Sequence, residues 1–448
     1  MHRLAVLFVA AAWCPPLWAA GPSDDQAGEL LTLDQALAIA RQGNRQVTTA
    51  QLSVGQWSDR VASQRTQMLP HFDLSVTPSY VITPLNLTFP AGAFGTFAST
   101  GPIPAMQTTI PTNAGYSTNV IATVAQPLTG IYLASIAVDQ LTVAGEMAKQ
   151  DLRTQQQSTV NGVRQAYYAV LQAESALAEA REQVTSWREV VAVVTKQSSV
   201  QAVQPPVMLQ AKAGLAQAEY VVTVDVHNLE TRKEQLNYQL GRDPSTPFRV
   251  SPVVADTAVE TDLNTARETA LRQRPELQKA RLNVTYNEYN VSMKWAGFIP
   301  TVNLVVKWLA PITSDVLPQN IVYTGVEFKW DVFDWGGKLY DIDQMKKGVE
   351  QAKIAVSDAQ AQVLLNVNAT FRALQDARNY LGVAELNQSA ARAQLVLVQH
   401  DYAQQAALLK DFLSAQANLA SASDQYRQAL LNVLDAQANL EKAIGSGE

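Results

Sequence analysis

Between residues 322 and 333 the chain alternates. Val322, Val326, Phe328, Trp330 and Val332 fall on one side, and Tyr323, Gly325, Glu327, Lys329 and Asp331 on the other. A period of two predicts a strand with one apolar and one polar face. At Trp335-Gly336-Gly337 the alternation stops, and Leu339, Ile342, Met345, Val349, Ala352 and Ala355 then recur every three or four residues. A strand is therefore expected to turn directly into a very long helix. Taken alone, the strand fits an ordinary half-buried soluble sheet; the rest of the chain changes that balance.

Residues 29–68 keep helical spacing through Leu33, Leu37, Ala40, Val47, Ala50, Val54, Trp57 and Val61, with Thr32 or Asp34 placed to cap the start. One helix is predicted there, stopped by Pro70. Residues 71–80 alternate, 83–115 form a proline-marked loop, and 116–126 alternate again with Val120, Ala122 and Val124 on one side. Helical sequence rich in Ala and Gln runs over 133–196, is interrupted near Pro205 and Pro206, and resumes over 207–240. Proline suits the first turn of a new helix, so a helical hairpin is expected. Residues 242–262, with Pro244, Pro247 and Pro252, read as a linker.

The same order then recurs. Ala36, Ala40, Val47, Ala50, Leu52, Pro70 and Leu74 match Ala266, Ala270, Leu277, Ala280, Leu282, Pro300 and Leu304 at an offset of 230. Ala148, Val163, Tyr167, Leu209, Ala211, Leu215 and Gly241 match Ala352, Val367, Phe371, Leu413, Ala415, Leu419 and Gly445 at an offset of 204. The chain is read as an internal duplication, with the 26-residue difference between offsets lying in the first strand-loop-strand segment. The expected organisation is a signal peptide at 1–20, a first repeat at 21–241, a linker at 242–262 and a second repeat at 263–448. A helix of about 60 residues would be roughly 90 Å long, which suits coiled-coil packing and no compact globule.

Four strands of about nine to twelve residues have the length that crosses a bilayer at a tilt. Their polar sides carry Asp73, Asn119, Asn303, Lys307, Glu327 and Lys329, the candidate lining of a wet lumen. Trp295, Phe298, Trp308, Trp330 and Trp335 flank them, as interfacial belts or as packing where helix meets strand. Four strands cannot close a barrel, so several chains must each contribute four. The predicted class is mainly α with a small membrane β part: long helices in an α-barrel, and four strands per chain in a trimeric twelve-stranded β-barrel.

Composition narrows the chemistry. Charged residues are 17% of the chain and the net charge of -6 includes no basic run, which argues against a nucleic-acid partner. The opening MHRLAVLFVAAAWCPPLWAA reads as a secretory signal peptide, and its Cys14 is the chain's one cysteine, so no disulfide is expected in the mature protein. His71, His227 and His400 stand far apart, and neither a phosphate-binding glycine loop nor a Gly-x-Ser-x-Gly elbow occurs. No enzyme activity, metal or cofactor is expected.

The sequence resembles the TolC-like outer-membrane efflux protein family over essentially the whole mature chain. The residues that carry the likeness are LTLDQALAIARQGN from Leu31, QPLTG from Gln126, LNYQLGRDP from Leu236, RPEL from Arg274, VFDWGGK from Val332 and LLKDFLSAQANL from Leu408. The resemblance implies a homotrimer in the outer membrane of a Gram-negative bacterium, extended by helices through the periplasm. It implies an exit duct for efflux or type I secretion that docks with a periplasmic adaptor and an inner-membrane transporter. Gln201, Gln204, Gln405 and Leu408 would be adaptor-contacting tips. Asp401, Lys410 and Asp411 cluster near the second tip, either as a ring of charge at a periplasmic constriction or as a solvated helix end. At that tip Asp401, Gln405 and Leu408 replace the family's usual Arg, Gly and Ser. The rival reading is a secreted coiled-coil structural or adhesive protein.

Overall fold

The computed structural model describes residues 29–83, 86–111, 115–199, 205–253, 262–312, 318, 320–404 and 406–446. The signal peptide with Cys14, and the tip positions Gln201, Gln204 and Gln405, lie outside them.

Thr32 opens the first helix with a capping box. Its backbone N–H donates to Gln35 Oε1 at 2.9 Å, and its Oγ1 accepts from the Gln35 N–H at 3.3 Å. The segment expected to be one helix is strand β1 (Glu29–Leu31) followed by two helices, α1 (Leu33–Gly43) and α2 (Arg45–Thr66). Asn44 makes the break. Its extended backbone leaves the helical path, and its side chain accepts from the N–H groups of Gln46 and Val47, capping α2.

The second repeat breaks at the matching place, between α5 (Leu263–Gln273) and α6 (Pro275–Ala296), by different chemistry. Arg274 is extended there with no side-chain cap, Pro275 starts α6, and the Arg274 guanidinium donates to the Lys442 carbonyl at 2.8 Å.

Strand β2 (His71–Val81) leads into four short strands, β3 (Asn86–Phe89), β4 (Thr96–Phe97), β5 (Gly101–Pro102) and β6 (Thr108–Pro111). The expected loop thus folds back on itself, β3 pairing with β6 and β4 with β5. Strand β7 (Gly115–Pro127) returns into helix α3 (Gly130–Ser199), and helix α4 (Pro205–Leu240) completes the first hairpin. The expected linker contains a strand, β8 (Phe248–Val250), which pairs in parallel with β1. Strands β9 (Thr301–Pro311) and β10 (Ile321–Lys329) precede helices α7 (Gly337–Ala403) and α8 (Leu409–Ile444). Strand β10 ends four residues before the expected Phe333.

The chain packs as two units, each drawing on both repeats. One comprises the described parts of Met1–Ala40, Gly162–Asp256 and Gln388–Leu431. At its centre the buried Tyr167 hydroxyl accepts from the Ser251 N–H at 3.0 Å and offers its proton to the carbonyls of Ser251, at 2.7 Å, and Leu31, at 2.9 Å. One phenol thereby ties α3 to both strands of the parallel pair. Burial, reinforced by the Glu174 charge, pushes its pKa up against the lowering effect of the Ser251 bond, keeping it a neutral donor. Further along, Val190, Val194 and Ala211 are packed by Trp187, Phe412 and Leu413. A Cβ on Gly214 would collide with the Trp187 ring, so the glycine is what admits that ring between α3 and α4.

The other unit comprises Arg41–Asn161, Thr257–Asn387 and Asn432–Glu448. Its helical core joins Ala266 and Ala270 of α5 to Val363, Val367 and Leu374 of α7 and to Val433 and Leu440 of α8. It also holds the four-stranded antiparallel sheet, in the order β10-β9-β7-β2.

Candidate functional site

The sheet is decided by its register. Asp73 pairs with Thr123, Thr123 with Lys307, and Lys307 with Tyr323, so these four form one row across the strands. Asn119 pairs with Thr77, Asn303 with Glu327, and Thr301 with Lys329. Since side chains alternate faces along a strand, Asp73, Asn119, Asn303, Lys307, Glu327 and Lys329 all stand on one face. Phe72, Leu74, Val76, Val120, Ala122, Val124, Val306, Trp308, Val322, Val326 and Phe328 stand on the other.

Among the described residues little covers this apolar face: Phe72 is 77% exposed and Val322 67%. An exposed apolar surface of that extent marks a membrane or a partner. The polar face carries two acids and two bases among its six candidates, so its charges offset one another. Asp73 and Lys307 lie two strands apart in that row, roughly 10 Å between backbones. Strands β2 and β10 are both edges, each with a row of backbone groups unpaired within the sheet.

The turn between α7 and α8 is organised differently. Asp401 contributes its carbonyl, which accepts from Ala406 N–H at 2.8 Å and from Ala407 N–H at 3.3 Å. The Asp411 carboxylate reaches back to the Leu408 N–H at 3.1 Å, satisfying a donor that the helix start leaves orphaned. Tyr402 and Phe412 stack across the turn at 5.7 Å between ring centres. Asp401 and Asp411 thus sit on opposite arms of the hairpin. Lys410 is exposed, and among the described residues no ion pair joins it to Asp411.

Higher in the same helices Arg427 contacts Glu179 of α3, and Asp424 at 2.7 Å. Burial lowers the Arg427 pKa. Burial, then the nearby Asp424 charge, raises that of Asp225 on α4.

Between β10 and α7 the chain makes a tight knuckle. Asp334 accepts from the Gly336 N–H at 3.1 Å through Oδ1 and from the Lys338 N–H at 2.7 Å through Oδ2. Trp335 has φ +57 and Gly336 φ +84. The left-handed region is natural for glycine and costs a bulky residue about 1–3 kcal/mol. Among the described residues no group of His, Cys, Asp or Glu is placed to hold a metal, and no helix is long and apolar enough to cross a membrane.

Comparison with known proteins places this architecture. Residues 266–446 match the family model described as outer membrane efflux protein. Over those residues the chain is similar to that family. Outer membrane efflux protein BepC of Brucella suis biovar 1 is 24% identical over 304 residues, which cover 66% of this chain. The match spans 65% of the length of that relative. The outer membrane channel CmeC of Campylobacter jejuni has a TM-score of 0.73 at 16% identity, covering 93% of this chain and 86% of that one. The open state of the MtrE outer membrane channel of Neisseria gonorrhoeae gives 0.69 at 17%, with coverages of 93% and 89%. At these identities the structures establish the shared fold.

The structure brings the six strand candidates onto one face. It places Asp401, Lys410, Asp411 and Leu408 around one turn, but commits Asp411 to a helix cap. Three features escaped sequence reasoning: the knuckle geometry, the Tyr167 tie and the Arg427 cluster. Asp334-x-Gly-Gly signals the first through its turn chemistry; the other two depend on helix packing and have no local signal.

Proposed function

We propose that the protein is an outer-membrane channel, a passive exit duct of a tripartite efflux or type I secretion system. The observation that carries this reading is the sheet: six polar candidates on one face, apolar side chains on the other, and two open edges. Unpaired backbone edges are not tolerated in hydrocarbon, so the sheet must close with other copies. Strands β2 and β10 run in opposite directions, and β10 of one copy can continue the antiparallel order beside β2 of the next. Two copies would give eight strands, whose interior fills with side chains; three give twelve, with room for water around the polar face.

In this reading Asp73, Asn119, Asn303, Lys307, Glu327 and Lys329 line the lumen, and the apolar face meets outer-membrane lipid. The helical hairpins extend through the periplasm, and the two repeats at 21–241 and 263–448 supply equivalent arms on either side of the 242–262 segment. A periplasmic adaptor and an inner-membrane transporter would engage the tips around Gln201, Gln204, Gln405 and Leu408. Of the constriction candidates, Asp401 and Lys410 are free to present charge to a pore, while Asp411 holds the turn. A secreted coiled-coil protein would leave the apolar sheet face in water, which disfavours that alternative. The test is a mass measurement after mild detergent extraction: three copies are expected, and a monomer with its strands intact would sink the proposal.

A further inference from the structure

We propose that the face of the sheet bearing Lys307 holds a binding site for an amphipathic organic anion. Its apolar body would lie on Ile121, Leu309 and Ile321, and its anionic head on Thr123, Lys307 and Tyr323. The inference rests on the channel reading, since it takes this face as the one that lines a wet lumen.

That face is not polar throughout. Ser75 pairs with Ile121, Ile121 with Leu309, and Leu309 with Ile321, so one row across the four strands holds three branched aliphatic side chains and a single hydroxyl. Leu309 is two residues from Lys307 on β9, so alternation puts the row on the same side as the lysine. That side is the more sheltered one: Val305 is 7% exposed, while its neighbours Leu304 and Val306 are 42% and 39% exposed. Ile121, Leu309 and Ile321 are each half-buried. They therefore keep apolar area in the lumen that a solute can cover, and covering it is favourable. The aliphatic row spans two strand spacings, roughly 10 Å, which a chain of about eight carbons matches.

The adjacent row of the same face supplies partners for a head group. Thr123 follows Ile121 on β7, Lys307 precedes Leu309 on β9 and Tyr323 follows Ile321 on β10, each about 7 Å along its strand. An ammonium between two hydroxyls is a set of donors suited to a carboxylate or sulfate. Among the described residues none of these three side chains has an ion pair or hydrogen bond of its own.

The positions of the other charges choose the sign. Asp73 belongs to the same row, but it stands on β2 beside Ser75, the one polar member of the aliphatic row. Glu327 and Lys329 lie farther along β10 toward its helix end, and His71 lies beyond Asp73 on β2. Lys307, beside the central aliphatic Leu309, is thus the charge that adjoins the apolar surface. An organic cation would have to set its charge against Asp73, at the end of the row where the apolar surface stops.

The experiment reads single-channel current through the intact protein in planar bilayers. Octanoate is the probe, acetate supplies its head without the chain, and octyltrimethylammonium supplies the chain with the opposite charge. Octanoate is expected to reduce the current saturably, at concentrations several-fold below those at which either control acts. Leu309→Thr combined with Ile321→Thr puts polar residues that suit strands into the row, and should weaken the octanoate effect several-fold with the unblocked current unchanged. Lys307→Gln should abolish the preference for octanoate over octyltrimethylammonium, and Lys307→Arg should retain it. If the double variant does not insert, the contrast between these two lysine variants decides alone. Equal action of either control on the wild type, or an octanoate effect undiminished in the variants, overturns the site while the channel stands. If the inserted protein carries no current at all, the channel reading falls and the site with it.

Discussion

The four-stranded sheet and the α7–α8 turn both carry charged side chains, and they use them in opposite ways. In the sheet the ladders between neighbouring strands call on no side-chain acceptor, so Asp73, Lys307, Glu327 and Lys329 remain available to whatever the face meets. At the turn the N–H of Leu408, the residue just before α8, has no partner within the helix, and it takes up the Asp411 carboxylate. A charge on a strand therefore reports the environment of a face. A charge at a helix start reports first on the helix.

The largest effect should come from mixing the two sheet faces. Leu74→Arg places a cation on the apolar side and should cost about 2–4 kcal/mol if that side meets the bilayer core. Ser75→Arg, one residue on, should cost almost nothing. Folding into lipid vesicles followed by urea titration measures both, and equal costs would erase the distinction between faces.

At the turn the expected effects are smaller. Asp411→Ala should lose about 1 kcal/mol of local stability, as removal of a helix-start acceptor does. Hydrogen exchange should quicken at the amides of residues 408–412. Asp401→Ala removes a carboxylate with no partner among the described residues, so exchange there should stay unchanged while cation selectivity in planar bilayers falls. If the two variants exchange alike, the assignment of one acid to the fold and the other to the pore is wrong.

The smallest effect concerns Asp225. Its folded pKa is raised, so the folded state holds that proton more tightly than the unfolded chain does. The cost is absent at pH values below the unfolded carboxylate's pKa and appears as pH rises through the raised value. Asp225→Asn should therefore raise the midpoint of thermal unfolding slightly at neutral pH and leave it unchanged in acid. A stabilisation that persists in acid would point to packing instead of charge.

What the sequence disclosed follows the same division. Strands with a strict period of two announce their faces, so all six polar positions could be picked from alternation alone, and the register confirms that they share a side. Elements set by distant partners were invisible. Strand β8 is three residues long, too short for a period, and exists because Glu29–Leu31 lies beside it some 217 residues away in the chain. The break at Asn44 was hidden because apolar spacing continues across it, although Asn before a helical run is a cap signal. Tyr167 and Phe371 occupy matching places in the two repeats; only the hydroxyl distinguishes the residue that ties α3 to the parallel pair from one that simply packs against a core. At the α8 start, Leu408 in the cap position concealed the role of Asp411, because a capping box normally begins with Ser or Thr.

The central claim, that one sheet face meets lipid and the other meets water, is tested most directly by spin labels placed singly at each position from His71 to Tyr80 in protein reconstituted into vesicles. The account predicts accessibility to oxygen peaking at Phe72, Leu74 and Val76, and accessibility to a water-soluble nickel chelate peaking at Asp73, Ser75 and Thr77. The two should oscillate with period two and out of phase. Uniform access to the chelate at all ten positions would show that the strands lie outside the membrane and contradict the account.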